Sequence, residues 1–247
     1  MNIENYGQSK RCKVAKELFL KAFCDLHLVF LPIPTSRDGK HVSGTDTEIG
    51  TIAEGACENT LVVGYNIPLS LCDALLLRGA RYLDLALDEK FQYENSKISA
   101  QGALGYILSS FNLAPCDMKI GIVGYGRIGK ELFSYLKFLG ASPRVYTTSE
   151  KSALELSENG VDVALCIGGV RDFSGLDLLI NTAPTDLSAS FKDGKIPENM
   201  RVIELASGEN FPLIKGVERL PSIPEKMYPD SAGYLYYKAI RRFLKEE

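Results

Sequence analysis

The chain has 247 residues, of which 45% are hydrophobic and 24% are charged, a composition that is typical of a soluble globular protein and excludes a disordered, collagen-like or coiled-coil chain. Lys and Arg number 28 and Asp and Glu number 31, which gives a net charge of −3. This balance excludes the strongly basic surface that binds nucleic acid or an anionic membrane.

Short apolar runs alternate with helical patterns in the first half of the chain. A helix is predicted over 8–23, strands over Leu26–Leu31 and Thr60–Tyr65, a helix over Leu69–Gly79, and a third apolar segment over Tyr82–Leu87. Ser70 is the candidate cap of the second helix. The alternation predicts a small α/β domain with a parallel sheet.

A long uncharged helix is predicted over residues 98–113, with Pro115 just beyond its end. Its Ser, Gln and Asn residues indicate a buried helix and not a membrane span. We expect this helix to join two domains. The first covers 1–97 and is completed by a C-terminal helix at 230–247, and the second covers 98–229.

The second half has a regular strand and helix order. Strands are predicted at Lys119–Val123, Arg144–Tyr146, Val161–Cys166, Leu176–Asn181, Arg201–Leu205 and Val217–Leu220, and helices at Lys130–Leu139, 150–159 and Gly233–Glu247. This order predicts an α/β fold with a doubly wound parallel sheet of the Rossmann type.

A glycine-rich turn stands between the first of these strands and its helix, in the G-x-G-x-x-G pattern that binds dinucleotide phosphates. Its residues are Gly124, Tyr125, Gly126, Arg127, Ile128 and Gly129. The first glycine makes the tight turn, the second lets a pyrophosphate approach the main chain, and the third lets the helix pack on the strand. The alternative is a tight turn without a ligand.

The residues after the second strand indicate which dinucleotide binds. NAD enzymes carry a carboxylate there for the ribose hydroxyls, whereas this chain has Thr147, Thr148 and Ser149. These hydroxyls can donate to a 2′-phosphate, and Arg127 and Lys151 supply positive charge, so we expect NADP in preference to NAD. Glu150 is the residue that argues against this choice.

Two further strand ends of the second domain are candidates for contact with the cofactor. They are Asn181, Thr182, Ala183 and Pro184 after the fourth strand and, with less support, Ser207 after the fifth. The alternative for both is an ordinary strand-end turn.

Six cysteines lie at positions 12, 24, 57, 72, 116 and 166, and no two form a C-x-x-C pair. The spacing therefore predicts no metal site of the zinc type. The polar N-terminal segment lacks the apolar stretch of a secretion signal. Scattered cysteines without a signal indicate a cytoplasmic protein.

Several segments resemble the A subunit of dipicolinate synthase, the last enzyme on the route of spore-forming bacteria to dipicolinic acid. In the second half they are KIGIVGYGRIGKELFSYLKFLGA, LDLLINTAPT, RVIELAS and LPSIPEKMYPDSAGYLYYKAI, and in the first half VFLPIPTSRDG and KFQYENSKISAQGAL. The chain departs from that family in two places. It starts almost directly at the predicted first helix, so we expect the N-terminal sheet to lack a strand, and TTSEK replaces an Arg-bearing loop.

The resemblance implies an NADP-binding domain, a smaller α/β domain, and oxidation of a dihydrodipicolinate-type cyclic dicarboxylate to the aromatic pyridine in a cleft between them. The implied partner is a flavoprotein-like B subunit, and we expect a homo-oligomer. Aromatisation favours hydride loss, so a strong base is not required. The D-2-hydroxyacid dehydrogenases share the two-domain plan but need a His paired with a carboxylate. The two histidines here, His27 and His41, are interpreted as a core residue and a solvated loop residue.

The loop at 35–38 is the candidate substrate site. Arg37 can bind a carboxylate through two hydrogen bonds, Thr35 and Ser36 add hydroxyl donors, and Asp38 either accepts a proton or holds Arg37. Arg37, Asp38 and Ser36 are the candidate catalytic residues, and a solvated turn is the alternative. Further candidate contacts for the substrate are Asn95 and Ser96, just before the joining helix, and Ser222.

Two other functions stay open at this stage. One is an NAD(P)-dependent dehydrogenase of another small carboxylate, and the other is a dinucleotide-binding protein without catalysis.

Overall fold

The structure of the protein is a computed structural model that describes residues 2–6, 9–20, 26–166, 171–212 and 214–245. The chain forms two compact units, Met1–Asn95 with Pro224–Glu247, and Ser96–Ile223. The boundaries predicted from the sequence lie a few residues further along the chain.

The N-terminal unit is built on a parallel sheet of four strands in the order β1-β2-β3-β4. Its strands are β1 (Asn2–Asn5), β2 (His27–Phe30), β3 (Thr60–Gly64) and β4 (Arg81–Asp84), and its helices are α1 (Lys10–Leu20), α2 (Thr51–Glu54), α3 (Leu69–Leu77), the first turns of α4 (Glu89–Ser110), α7 (Ile223–Met227) and α8 (Pro229–Phe243). Ser70 lies inside α3 and caps nothing, because Pro68 occupies the capping position.

The expectation that this sheet lacks a strand before the first helix is wrong. β1 pairs in parallel with β2, with Ile3 opposite Leu28, and Ile3 is buried. Ile3 is the one apolar residue of this strand, so the alternating pattern that identifies a strand is absent. Pairing with β2 stabilises β1 where its own sequence carries no signal.

The joining helix α4 begins at Glu89 and not at residue 98 as predicted. Asp88 caps it, because its carboxylate accepts the backbone N–H of Phe91 at 2.9 Å. Most residues of the added turns are polar, and their Phe91 is fully buried. Asn95 and Ser96, expected just before this helix, therefore lie within it.

The C-terminal helix α8 packs in the N-terminal unit. Tyr236 is fully buried, and its ring lies 6.2 Å from that of Phe30 and 5.6 Å from that of Phe91. Gly233 contacts α1 so closely that a Cβ there would lie 2.5 Å from Val14. Buried aromatic area and this close backbone contact fix α8 on the unit.

The second unit is a six-stranded sheet, and all described pairings are parallel. Its elements are β5 (Ile120–Val123), α5 (Arg127–Phe138), β6 (Arg144–Thr147), α6 (Glu150–Glu158), β7 (Val163–Leu165), β8 (Leu178–Asn181), β9 (Arg201–Glu204) and β10 (Glu218–Arg219). The strand order is β10-β9-β8-β5-β6-β7. This is the doubly wound order, so the predicted fold class is confirmed.

Alternate residues of the central strands bury their side chains on opposite faces of the sheet. Ile122 and Ile180 belong to one apolar cluster, which includes α5 residues such as Leu132. Val123 and Leu179 belong to the other. A sheet covered on both faces leaves only its strand ends for binding. Among the described residues, no helix combines the length and the apolar character that a membrane span needs.

Candidate functional site

The carboxyl ends of four adjacent strands form one edge of the second sheet. The order β9-β8-β5-β6 brings together the residues that follow these strands, because all four are parallel. Every residue predicted to contact the cofactor either ends one of these strands or follows it. A ligand crevice is expected at this edge, where β5 separates the two directions of winding.

The glycine loop after β5 has the geometry that a phosphate-binding turn requires. Gly124 adopts a φ of 91°, a region that side chains disfavour. A Cβ on Gly129 would lie 2.3 Å from the carbonyl oxygen of Gly124, whereas a Cβ on Gly126 would meet no atom within 4 Å. Gly124 and Gly129 therefore close the turn, and Gly126 faces open space.

The N-terminus of α5 adjoins this open space. The helix begins at Arg127, and no side chain caps it. The first backbone N–H groups of a helix lack partners within it and carry a partial positive charge. These N–H groups, together with the space left beside Gly126 by its lack of a side chain, fit a pyrophosphate.

Thr182 holds the glycine loop from the neighbouring strand β8. Its hydroxyl donates to the carbonyl of Val123 at 2.9 Å and lies 3.2 Å from that of Gly124. A Cβ on Gly124 would also lie 2.9 Å from the Cβ of Ala183. Both residues were predicted to contact the cofactor, and the structure places them against the loop that would do so.

Asn181 ends β8 opposite Glu204 of β9, and both side chains are buried. The Asn181 amide donates to both carboxylate oxygens, at 3.2 and 3.1 Å, while its carbonyl oxygen accepts the N–H of Ala183. Glu204 also accepts the N–H of Ala206 at 2.8 Å. Asn181 is thus engaged within the protein and supports the strand ends.

Burial raises the pKa of Glu204, because a charged carboxylate loses its hydration inside the protein. Sequence reasoning missed this residue. The available signal was a carboxylate within the apolar run RVIEL, since a buried charge demands partners.

The end of β6 uses two of its three hydroxyls locally. The Thr147 hydroxyl oxygen accepts the N–H of Ser149 at 3.1 Å, and the Ser149 oxygen caps α6 by accepting the N–H of Ser152. Thr147 lies beside Gly124, because the N–H of Gly124 donates to the backbone carbonyl of Tyr146, the residue before Thr147. The edge around these residues is open. Thr148, Lys151, Arg127, Pro184 and Ser207 are exposed there.

The loop at 35–38, predicted to bind the substrate, follows β2 of the N-terminal unit. Thr35 is fully buried and its hydroxyl oxygen accepts the N–H of Tyr65 at 2.9 Å, so its role in the described structure is to fix the start of the loop. Arg37 is exposed. Ser36 donates to Asp38 and accepts the N–H of Gly39, which organises a tight turn.

Asp38 holds His41, a contact that sequence reasoning did not anticipate. Its Oδ2 lies 2.7 Å from Nδ1 of His41, and its Oδ1 accepts the backbone N–H groups of Lys40 and His41, both at 2.8 Å. These hydrogen bonds hold the pKa of Asp38 well below its usual range. The hydrogen bond from the His41 ring to Asp38 raises the pKa of His41 above its usual value. Asp38 therefore stays ionised, which leaves His41 as the group that can exchange a proton.

The remaining predicted substrate residues do not all belong to the unit that carries the loop at 35–38. Asn95 is in the N-terminal unit, and Ser96 and Ser222 are in the other. Ser96 is buried in α4, and Ser222 is exposed with a φ of 57°. Across the described ranges, no group of three or more His, Cys, Asp or Glu side chains is arranged to hold a metal ion.

No protein-family model and no curated protein matches the chain. Solved structures do match it. The A subunit of dipicolinate synthase from Bacillus halodurans matches with a TM-score of 0.74 at 16% identity, covering 100% of this chain and 98% of its own. The corresponding dipicolinate synthase chain from Bacillus subtilis gives 0.74 at 15% identity, with 100% and 96% coverage.

D-lactate dehydrogenase from Escherichia coli matches with a TM-score of 0.60 at 12% identity, covering 99% of this chain and 96% of its own. Identities this low show the fold alone. The fold of these structures agrees with the fold that the sequence resemblance implied. The chain has the two-unit fold found in the dipicolinate synthase A subunits and in D-lactate dehydrogenase.

Proposed function

We propose that the chain is an NAD(P)-dependent oxidoreductase that resembles the A subunit of dipicolinate synthase in its activity. The observation that carries the proposal is the turn at 124–129, where Gly126 leaves open space at the uncapped N-terminus of α5. This turn lies at the winding switch of a parallel sheet, where dinucleotides bind. A bound nicotinamide dinucleotide would supply a hydride acceptor.

The residues at the end of β6 support NADP as the preferred dinucleotide. The Thr147 oxygen accepts a backbone N–H, and a hydroxyl that accepts can also donate its proton to a phosphate. Thr148, Arg127 and Lys151 are exposed and can add a second hydroxyl and two positive charges. No carboxylate of β6 itself competes with a 2′-phosphate, since its residues are Arg, Val, Tyr and Thr.

The proposed substrate is a small cyclic dicarboxylate of the dihydrodipicolinate type, oxidised to an aromatic pyridine. Arg37 is exposed on its loop and offers a planar pair of donors to a carboxylate. Ser36 and Asp38 shape the turn that presents it. The proposed partner is a flavoprotein-like B subunit, which is consistent with the Bacillus halodurans protein being one subunit of its synthase.

A thermal-shift experiment on the full chain tests dinucleotide binding. NADP at about a hundred times its Kd stabilises the folded state by about 2.7 kcal/mol, which raises the Tm by about 5–10 °C for a chain of this size. AMP at the same concentration is the control, because it lacks the pyrophosphate. A Tm that neither NADP nor NAD changes would refute the proposal.

Cofactor preference is tested by Thr147→Asp. NADP is expected to bind the unmutated chain about ten- to a hundredfold more tightly than NAD, because hydrogen bonds to a charged group contribute about 1.5–3 kcal/mol. The aspartate can still accept the Ser149 N–H, but it repels a 2′-phosphate and accepts from ribose hydroxyls, so the order reverses.

Calorimetric titration of both dinucleotides measures this preference. Thr147→Val removes the hydroxyl without adding charge, and it is expected to weaken NADP binding without strengthening NAD binding. Tighter binding of NAD by the unmutated chain would show that Glu150, and not the hydroxyls, governs the site.

A further inference from the structure

A polar pocket of about 320 Å³ opens within the N-terminal unit, on the loop that follows β2. It is lined by Arg37, Asp38, His41, Val42, Ser43, Gly44, Thr45 and Asp46. The loop is closed on itself by backbone hydrogen bonds from Val42 to Thr47 and from Ile49 to Lys40. The pocket is therefore formed by an ordered hairpin-like segment.

His41 is held in this pocket with one ring nitrogen engaged. Its Nδ1 lies 2.7 Å from Oδ2 of Asp38. Asp38 is itself fixed, because its other oxygen accepts two backbone N–H groups and the Ser36 hydroxyl. An ionised carboxylate can only accept, so Nδ1 carries the hydrogen, and Nε2 of the neutral ring carries the lone pair.

Two further groups of the pocket point to a ligand that bears a carboxylate. Arg37 lines the same pocket as His41, and its guanidinium matches a carboxylate in shape and charge. The buried Oγ of Ser43 makes no hydrogen bond within the described structure, which is a cost that a bound acceptor or donor would remove.

We propose that Arg37 and His41 form a carboxylate-binding pocket, in which Arg37 holds the ligand and His41, oriented by Asp38, adds a positive charge when its ring is protonated. This inference deepens the proposed function and rests on it. Nε2 of His41 can exchange a proton with solvent, because 45% of the His41 side chain is exposed.

The charge of His41 makes ligand binding depend on pH. Asp38, Glu48 and Asp46 all favour the protonated ring, whereas the partial loss of hydration opposes it. Protonated His41 attracts a dicarboxylate, and the neutral ring does not. Affinity for a dicarboxylate is therefore expected to fall as pH rises through the pKa of His41, which lies above 6.5.

The test uses the full chain and pyridine-2,6-dicarboxylate in metal-free buffer. NMR of the ring nitrogens follows His41, whose signals His41→Gln identifies, since the chain has only one other histidine. We expect saturating dicarboxylate to shift the Nε2 resonance and raise the His41 pKa, and Asp38→Asn to lower that pKa in the free protein.

Calorimetry supplies the second readout. Arg37→Gln is expected to weaken dicarboxylate binding at least tenfold, while Lys40→Gln, which removes a cation of the same loop outside the pocket wall, leaves it unchanged. His41→Gln is expected to abolish the fall in affinity with pH.

An Nε2 resonance that the dicarboxylate does not move, or equal affinities in Arg37→Gln and Lys40→Gln, would overturn the inference. NADP binding separates this failure from failure of the proposed function. A chain that binds NADP but shows neither response keeps the oxidoreductase proposal and loses the pocket. A chain that binds no dinucleotide loses the proposed function, and the His41 resonance still decides whether the pocket binds a carboxylate.

Discussion

Replacing Gly126 with alanine is expected to weaken dinucleotide binding at least a hundredfold while the protein stays folded. The added Cβ would meet no protein atom within 4 Å, and the residue has an extended backbone with φ of −81° and ψ of −163°, which alanine adopts without strain. The free energy of unfolding should change by less than about 1 kcal/mol. The space that the methyl fills is the space proposed for the pyrophosphate.

Gly129→Ala is the matched counterpart. Its Cβ would lie 2.3 Å from the Gly124 carbonyl oxygen, a backbone atom that can move only if the turn opens. This variant is expected to lose about 2–3 kcal/mol of stability. Urea denaturation and NADP titration of both variants separate the two effects. If Gly126→Ala bound NADP as tightly as the unmutated chain, the phosphates would not lie against this turn.

Replacing Glu204 with alanine is expected to lower the free energy of unfolding by about 2–4 kcal/mol. The substitution leaves the buried Asn181 amide and the Ala206 N–H without their acceptor, and each unsatisfied group costs about 1–3 kcal/mol. Relief of the cost of burying the carboxylate offsets part of this loss. Denaturation in urea measures the difference.

Glu209→Ala is the control for this experiment, because Glu209 is an exposed carboxylate a few residues further along. It should change stability by less than about 0.5 kcal/mol. Equal effects of the two variants would show that the Asn181–Glu204 pair does not support the strand ends.

The same carboxylate makes stability depend on pH. Because burial raises the pKa of Glu204 above 4.5, the folded state takes up a proton more readily than the unfolded state does. The stability that this proton contributes is present below the unfolded pKa and is lost as pH rises through the folded one. Glu204→Gln should remove that loss.

Local patterns were sufficient to predict the dinucleotide-type unit. A strand, three spaced glycines and a helix occupy fewer than twenty consecutive residues, and their spacing is set by the turn that they form. The apolar strands around them are long enough to be recognised because both faces of a parallel sheet are buried. The strand order and the position of Gly124–Gly129 therefore follow from the sequence.

Contacts between distant segments decided the rest. β1 has one buried apolar residue, and its pairing with β2 makes it a strand. Glu204 and Asn181 are neighbours only through the register of two strands. His41 and Asp38 are close in sequence, but the closed loop that turns them toward each other begins at buried Thr35, which is anchored on Tyr65. The sequence alone determined where the backbone turns and which faces are apolar, because these depend on neighbouring residues. Only the tertiary structure decided which polar side chains meet, because a hydrogen bond requires partners that folding brings within about 3 Å.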